Sequence, residues 1–185
     1  MCGAWSQKEG NKKVIFESPS IKKIGAGWRH MVVLTKGGEV LVRGKNTESQ
    51  LGLGEAYNMV VNDFTLIMKD ESIKSITCGG HYTVVLKKDG TAVLWGQNYF
   101  GNLGLGDKNN RYTPCPMRLD KKVRFVACGG YHTIVYTEEK ELWASGWNTK
   151  GELVRIKSFI SLFKSKYNII LLFQGNWRLK RQDKL

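Results

Sequence analysis

The fold of this chain is decided by the stretch ITCGGHYTVVL at residues 76–86, because two further versions of it occur in the same sequence. They read IGAGWRHMVVL at 24–34 and VACGGYHTIVY at 126–136, so that their last residues lie 52 and 50 positions apart. An internal period of about 20–50 residues is typical of solenoids, propellers and arrays, in which one unit cannot bury its apolar face alone. The repetition therefore predicts a repeat protein with a surface for partners rather than a buried catalytic pocket.

The second copy shows how one unit is built. Residues 83–86 and 91–95 are rich in β-branched and apolar side chains, and we predict a strand for each. Asp89-Gly90 lies between them and supplies the positive φ that a tight hairpin turn requires. Further strands are predicted at 64–68 and 116–119 between the copies, and at 14–16 before the first. About four short strands per unit is the content of a propeller blade.

The other two copies follow the same order of strand, turn, strand and glycine-bearing bend. The first turns at Lys36-Gly37-Gly38 and ends in Leu-Gly-Leu-Gly at 51–54, as the second does at 103–106. The third turns at Glu138-Glu139-Lys140 without a glycine, which predicts a slightly weaker hairpin.

These motifs resemble the repeat of the regulator of chromosome condensation family. The segments that carry the resemblance are WGQN at 95–98, LGLGD at 103–107 and CGGYHT at 128–133, and it covers about residues 14–153. The family folds as a seven-bladed β-propeller, whereas three copies are visible here. The resemblance thus implies an all-β, partial β-propeller of about three blades.

Two other propeller repeats fit less well. The tryptophan–aspartate repeat has a shorter period and a Trp-Asp ending that this chain lacks. The kelch repeat has a similar period, and Tyr136 and Trp143 match its spacing. It does not contain Leu-Gly-Leu-Gly, and the second copy has Leu86 in place of the tyrosine.

The predicted organisation has three parts. Three repeats occupy about 14–54, 64–106 and 116–153, residues 1–13 are a remnant of a preceding repeat, and residues 154–185 form a basic, apolar tail. The tail carries apolar residues at helical spacing, which favours a capping or interfacial helix. The alternative is a segment that is not part of the selected protein, produced by a frameshift, a retained intron or a truncated gene model. Its longest apolar run, 169–173, is too short to cross a bilayer, so no transmembrane segment is expected.

The charge of the chain is unevenly placed. The formal net charge is +13, and residues 155–185 hold eight Lys or Arg against one acid. Such a tail can bind nucleic acid or anionic membrane through phosphate contacts, although basic tails also occur without a specific partner. Among the four cysteines no metal-ligand spacing occurs, and Cys78 and Cys128 share a repeat position with Ala26, which indicates small buried residues. With no signal peptide at the start, we expect a cytoplasmic or nuclear protein.

Residues arranged for catalysis are not found. The sequence shows no paired carboxylates, nucleophile elbow, phosphate loop or metal-binding cluster, and we predict no enzyme activity, no cofactor and no metal. His30, Tyr82 and His132 occupy one repeat position, and this alternation favours a structural role in hydrogen bonding.

A variable pair of residues in each copy is the predicted binding site. The pairs are Trp28-Arg29, Gly80-His81 and Gly130-Tyr131. We expect Trp28, Arg29, His81 and Tyr131 to point to one propeller face and to contact a protein partner, since Trp, Arg and Tyr are enriched at binding hot spots. The alternative is that Trp28 only packs against a neighbouring blade. The segment Gly27–His30 also resembles a motif on the interaction face of plant ultraviolet-B photoreceptors of this family, but those need several such tryptophans and only Trp28 occupies the position here.

The resemblance implies a non-catalytic protein-binding module or scaffold. The alternative is a guanine nucleotide exchange factor or regulator of a small Ras/Ran-like GTPase, because the founding member of the family is an exchange factor for a small nuclear GTPase and docks on nucleosomes. Its exchange activity uses a β-hairpin inserted in one blade, and the spans 55–75 and 108–124 contain no such insertion. Chromatin or nucleic-acid binding through the basic tail is a weaker prediction. Open blade edges also predict self-association.

Overall fold

The three copies of the repeat fold as three antiparallel sheets. The computed structural model describes residues 20–55 and 59–148, and every regular element within them is a strand. The strands are β1 Ile21–Ala26, β2 His30–Thr35, β3 Glu39–Lys45, β4 Val60–Lys69, β5 Ile73–Cys78, β6 Tyr82–Lys87, β7 Ala92–Gly96, β8 Arg111–Pro116, β9 Val123–Cys128, β10 His132–Thr137 and β11 Leu142–Gly146. A membrane-spanning helix is accordingly not found in this part of the chain. The predicted remnant 1–13, strand 14–16 and tail 154–185 lie outside the described residues.

Each sheet is one blade of a partial propeller. The first blade has the order β1-β2-β3-β4, the second β5-β6-β7-β8, and the third β9-β10-β11. The first strands of neighbouring blades contact each other, β1 against β5 and β5 against β9, and the second strands β2 and β6 also contact β5 and β9. The first strands are therefore innermost, and β4 and β8 are outermost. The predicted all-β, partial propeller is confirmed.

The blades begin and end at different positions in the sequence from the predicted repeat units. Strand β4 pairs with β3, so residues 64–68 complete the first blade, although the predicted unit 64–106 assigns them to the second repeat. The three sheets span 21–69, 73–116 and 123–146. The recurring motif thus covers the inner three strands, and the outer strand follows Leu-Gly-Leu-Gly within the same blade. The repeat boundaries, as units of sequence, stay a prediction.

The predicted strand at 116–119 is wrong. The outer strand of the second blade is β8, which ends at Pro116, and Cys115 of β8 pairs with Leu94 of β7. Met117 and Leu119 pack, partly buried, against the core beside the strand. Their apolar character correctly indicated burial, but burial does not specify an extended backbone. Proline is tolerated at the end of an outermost strand because no further strand needs its N–H group.

Two apolar cores lie between neighbouring blades. Along β6, Tyr82, Val84 and Leu86 face the third blade while Val85 faces the first, as the two-residue period of a strand requires. The core between the first two blades contains Val32, Leu34, Val40, Val42, Leu51, Ile73, Ile76, Val85 and Trp95. The core between the second and third contains Tyr82, Val84, Leu86, Ala92, Leu94, Leu103, Leu105, Val123, Val135 and Trp143. A single blade would expose both of its faces, so the blades depend on one another for burial.

The hairpin turns form where the sequence predicts them. Gly38 and Gly90 adopt φ angles of 78° and 85° at the two glycine turns. Lys140 occupies the same place in the third copy with φ 66°, and its N–H donates to the Thr137 carbonyl at 3.1 Å. The third turn thus keeps the geometry of the others with a lysine in the left-handed region, where a side chain is disfavoured. The left-handed lysine is a physical reason for the weaker hairpin that the sequence predicts.

Hydrogen bonds join each blade to the next, and in each case two side-chain donors share one main-chain carbonyl. The carbonyl of Gln50 in the first blade accepts from Trp95 Nε1 at 2.9 Å and from Thr83 Oγ1 at 3.1 Å, both in the second blade. The carbonyl of Asn102 in the second blade accepts from Thr133 Oγ1 at 2.7 Å and from Ser145 Oγ at 3.2 Å. These donors are buried, so each bond satisfies a polar group that water cannot reach. We call this arrangement the carbonyl latch.

Candidate partner-binding surface

Tight loops between the first and second strands carry the variable pairs. In the first blade the N–H of Gly27 donates to the His30 carbonyl at 2.9 Å, and Gly79 and Gly129 make the equivalent bonds at 2.8 Å. Each bond closes a four-residue loop with the variable pair at its tip. The three loops lie side by side, because the Trp28 N–H donates to the Gly80 carbonyl at 3.0 Å. The Gly80 N–H donates in turn to the Gly130 carbonyl at 3.1 Å.

Trp28 lies across the loops of the second and third blades. Its ring centroid is 5.0 Å from that of His81 and 5.0 Å from that of Tyr131, edge to face in both cases. The first residue of each neighbouring pair is a glycine because the indole lies directly above it: a Cβ at Gly80 or Gly130 would come within 3.0 Å of the ring. Trp28 nevertheless keeps 56% of its surface exposed. It therefore both packs on its neighbours and presents a face to solvent.

Two residues that sequence reasoning missed extend this surface. Phe100, from the bend after β7, lies 4.8 Å from Tyr131 and stacks on Trp147 at 4.7 Å between ring centroids. Trp147 also lies 5.5 Å from Tyr131. The available signal was an aromatic residue in an otherwise polar, glycine-bearing bend. We call Trp28, His81, Phe100, Tyr131 and Trp147 the aromatic cluster.

Arg29 belongs to the polar margin of the aromatic cluster and not to its ring contacts. It is exposed, and its carbonyl accepts from the Lys45 N–H at 2.8 Å. Burial lowers the pKa of His81, and the charges of Lys45 and Arg29 lower it further while Glu48 opposes them. Gln50 Nε2 lies 3.4 Å from His81 Nδ1. The structure thus brings Trp28, His81 and Tyr131 together with Arg29 beside them, and their role in binding stays a prediction.

The shared position of His30 and Tyr82 has the structural role that the sequence predicts. His30 Nε2 lies 3.0 Å from Thr83 Oγ1 of the next blade. Tyr82 Oη donates to the His132 carbonyl at 2.5 Å and lies 3.0 Å from Thr133 Oγ1, both in the third blade. Because Thr83 Oγ1 donates to the latch carbonyl, His30 Nε2 carries the hydrogen, and its Nδ1 is buried without a partner in the described residues. His30 is therefore a neutral imidazole.

The neutral His30 predicts a loss of stability in acid. Burial lowers its pKa from 6.5 to about 4, so the unfolded chain takes up a proton between these values while the folded chain does not. The free energy of unfolding is at its full value above pH 6.5, declines as the pH falls toward 4 and then levels off, for a total loss of about 3 kcal/mol. Urea unfolding of wild type and His30→Gln across this range measures it. The variant should lack this part of the slope, and equal slopes for the two proteins would contradict the assignment.

The thiols of Cys78 and Cys128 are held in their neutral form. Burial raises the pKa values of Cys78 and Cys128 to about 12, so both are protonated at neutral pH and are poor nucleophiles. Among residues 20–55 and 59–148, groups of three or more His, Cys, Asp or Glu that could hold a metal ion are not found. The chemistry of the candidate surface is therefore that of apolar and aromatic contact with a polar margin.

Fold and surface together define the class of the protein. It is a β-propeller built from repeated antiparallel blades, with recurring loops gathered at one end. The chain belongs to the regulator of chromosome condensation (RCC1) repeat family, because one model of that repeat matches residues 21–50, 73–102 and 123–152 and a second matches 89–136. The predicted resemblance is confirmed.

Several relatives share this repeat. The chain is 36% identical over 94 residues to the ultraviolet-B receptor UVR8 of Arabidopsis thaliana, covering 51% of this chain and 21% of the receptor. It is 33% identical over 105 residues to the human X-linked retinitis pigmentosa GTPase regulator, covering 55% of this chain and 10% of that protein. The chain thus spans about a fifth or less of the length of these relatives.

Solved structures show the same fold. Prp20p of Saccharomyces cerevisiae superposes with a TM-score of 0.62 at 26% identity, over 73% of this chain and 33% of that chain. Human WBSCR16 superposes with a TM-score of 0.63 at 23% identity, over 71% of this chain and 34% of that chain. The three blades correspond to about a third of each of these structures.

Proposed function

We propose that this chain is a non-catalytic protein-binding module that contacts its partner through the aromatic cluster. The observation that carries the proposal is the placement of Trp28, which is 56% exposed while its ring is held by His81 and Tyr131. A large side chain fixed before binding loses little conformational freedom when the partner arrives. Tryptophan and tyrosine are also among the residues that dominate binding energy at interfaces.

The surroundings of the cluster support the same function. Interfaces have an apolar centre and a polar rim. Here the charges of Arg29 and Glu48 act on His81, and the Gln97 N–H donates to the His81 carbonyl at 2.9 Å. Gln97 Nε2 donates to Glu48 Oε2 at 3.1 Å, which ties the bends of two blades together at the rim. Because residues from three blades form one surface, a partner would recognise the folded propeller rather than a single loop.

Removal of the Trp28 ring tests this proposal. Wild type and Trp28→Ala are used to capture partners, and the affinity of a purified partner is then measured by calorimetry. We expect Trp28→Ala to weaken binding by about thirtyfold, the effect of losing a hot spot of about 2 kcal/mol. Tyr112→Ala is the matched control, because Tyr112 is 41% exposed on the outer strand β8, away from the cluster. A partner that loses affinity equally with both variants would contradict the proposal.

A regulator or exchange factor of a small GTPase is the second candidate. Two relatives favour it: one is named a GTPase regulator, and Prp20p is described with its binding to Gsp1p and histones. The chain covers only part of each. In the described residues the spans after the bends form the ordinary outer strands β4 and β8, with no additional hairpin strand pair. Nucleotide release from a panel of small GTPases separates the candidates, since acceleration above background would replace a non-catalytic role with exchange.

Other predictions about partners and location remain proposals. Chromatin or nucleic-acid binding through residues 155–185 predicts an affinity that falls steeply with salt and disappears when that segment is deleted. Self-association through open blade edges is measured by sedimentation over a range of concentrations. A cytoplasmic or nuclear location is tested with a fluorescent fusion.

A further inference from the structure

A row of basic side chains lies along the innermost strands. Lys22, Lys74 and Arg124 occupy the same repeat position, immediately after the first residue of β1, β5 and β9, and Lys23 follows Lys22. All four are exposed. We call them the inner basic row. The row lies toward the turn end of the sheets, since Ile21 pairs with Thr35, whereas the aromatic cluster lies beyond the other end of the same strands.

Hydrogen bonds between blades make the row continuous. Lys22 Nζ donates to the Ile73 carbonyl of β5 at 2.9 Å, and Lys74 Nζ donates to the Arg124 carbonyl of β9 at 3.0 Å. Each ammonium group is thus drawn toward the next inner strand. Lys23 Nζ likewise lies 2.6 Å from Ser75 Oγ. A lysine has three donors, so each of these groups has further capacity to bind an anion.

The positive charge of the row is not neutralised by carboxylates within the described residues. The ion pairs found there involve Lys69, Lys87, Arg111 and Lys121, which belong to the outer strands, turns and loops. Strands β1, β5 and β9 carry no Asp or Glu. Three adjacent strands therefore present cations without acids between them, and like charges held together favour an anionic ligand.

The aromatic ring beside the row is occupied by protein groups. Lys74 Nζ lies 5.3 Å from the centroid of the Phe125 ring and the Arg124 guanidinium carbon lies 5.6 Å from it. Tyr136 stacks on the same ring at 6.4 Å. Single-stranded nucleic acid is held by bases stacking on aromatic faces, and here such stacking would have to displace these groups. The exposed apolar surfaces of Ile24 (60%) and Phe125 (57%) instead suit the aliphatic side chains of a peptide.

We propose that the inner basic row binds an acidic, extended peptide segment of a protein partner. The carboxylates pair with Lys22, Lys23, Lys74 and Arg124, and the backbone of the segment follows the row from the first blade to the third. This site is separate from the aromatic cluster and does not rest on the function proposed for it.

Binding of a fluorescein-labelled oligoglutamate peptide, followed by anisotropy with the full chain, tests the proposal. Arg124→Gln is the cleanest probe, because the carbonyl of residue 124, and not its side chain, holds Lys74. We expect the double variant Lys23→Gln/Arg124→Gln to bind about tenfold more weakly, and binding to weaken with added salt. The control Lys108→Gln/Arg118→Gln removes the same charge at exposed positions away from the inner strands and should stay within about twofold of wild type.

Three results would overturn the proposal. One is absence of oligoglutamate binding by the wild type. The second is an equal loss in the row variant and in the control, which would indicate attraction by net charge alone. The third is tighter binding of single-stranded DNA of the same charge, which would identify the row as a nucleic-acid site. Thermal unfolding of each variant shows that a loss of binding is not a loss of fold.

Discussion

Replacement of Trp95 by alanine is expected to lower the free energy of unfolding by about 3 to 5 kcal/mol. The indole is completely buried between the first and second blades, and its Nε1 donates to the carbonyl of Gln50. The substitution therefore leaves a cavity at an interface on which both blades depend, and it removes one of the two donors to the Gln50 carbonyl. Urea unfolding followed by circular dichroism measures the change.

Trp28→Ala is the comparison for this prediction. Trp28 is 56% exposed and fills no core, so its loss should cost about 1 kcal/mol or less. If Trp95→Ala were no more destabilising than Trp28→Ala, the blades would not be joined through the apolar core that contains Trp95.

The second large effect is expected from Gly96→Ala, which should destabilise the fold by about 3 kcal/mol or more. Gly96 has φ 109°, and Gly44 and Gly146 share its repeat position with φ 117°. A Cβ at Gly96 would lie 2.5 Å from the carbonyl oxygen of His81 and 2.7 Å from the Cα of Tyr82. Both atoms belong to the backbone, so the contact cannot be relieved by rotation of a side chain.

Gly54→Ala is a matched control for the backbone contact. Gly54 has a similar φ of 99°, yet a Cβ there would meet no atom within 4 Å. Its substitution carries only the strain of the left-handed region, about 1 kcal/mol. Thermal unfolding of both variants separates the two contributions. Equal destabilisation would mean that φ alone, and not the approach of the His81–Tyr82 backbone, requires glycine at position 96.

Most of the blade could be predicted from the sequence, because its local signals agree. The β-branched, apolar run at residues 83–86, the Asp89-Gly90 turn and the returning strand all favour the same hairpin, and the structure contains it. The outer strand was harder to place. Residues 116–119 are apolar, but an edge strand is stabilised mainly by its hydrogen bonds to one neighbour, and hydrophobicity does not report these bonds. The assignment of β4 to the first blade likewise depends on pairing between distant segments.

The candidate surface was predictable in part. The variable pair could be located because a closing glycine precedes it in every copy, and the structure places Trp28, His81 and Tyr131 in contact. Phe100 and Trp147 were missed because the sequence of a bend does not show whether its side chains point toward the variable pairs or away from them. The inner basic row recurs in register in all three copies, but its meaning depends on knowing that β1, β5 and β9 are innermost.

In the carbonyl latch, the residue that provides the acceptor can vary more freely in sequence than the residues that provide the donors. Its acceptor is a main-chain oxygen, which every amino acid provides, so Gln50 and Asn102 can differ between copies without loss of the bond. Its donors are side chains, and only residues whose side chains can donate a hydrogen bond can replace Thr83, Trp95 or Thr133. A new blade could therefore be added to this array if it had suitable donor side chains, because any residue of the neighbouring blade provides the acceptor carbonyl. Growth by duplication is chemically easier under that arrangement than under one in which both partners must change together.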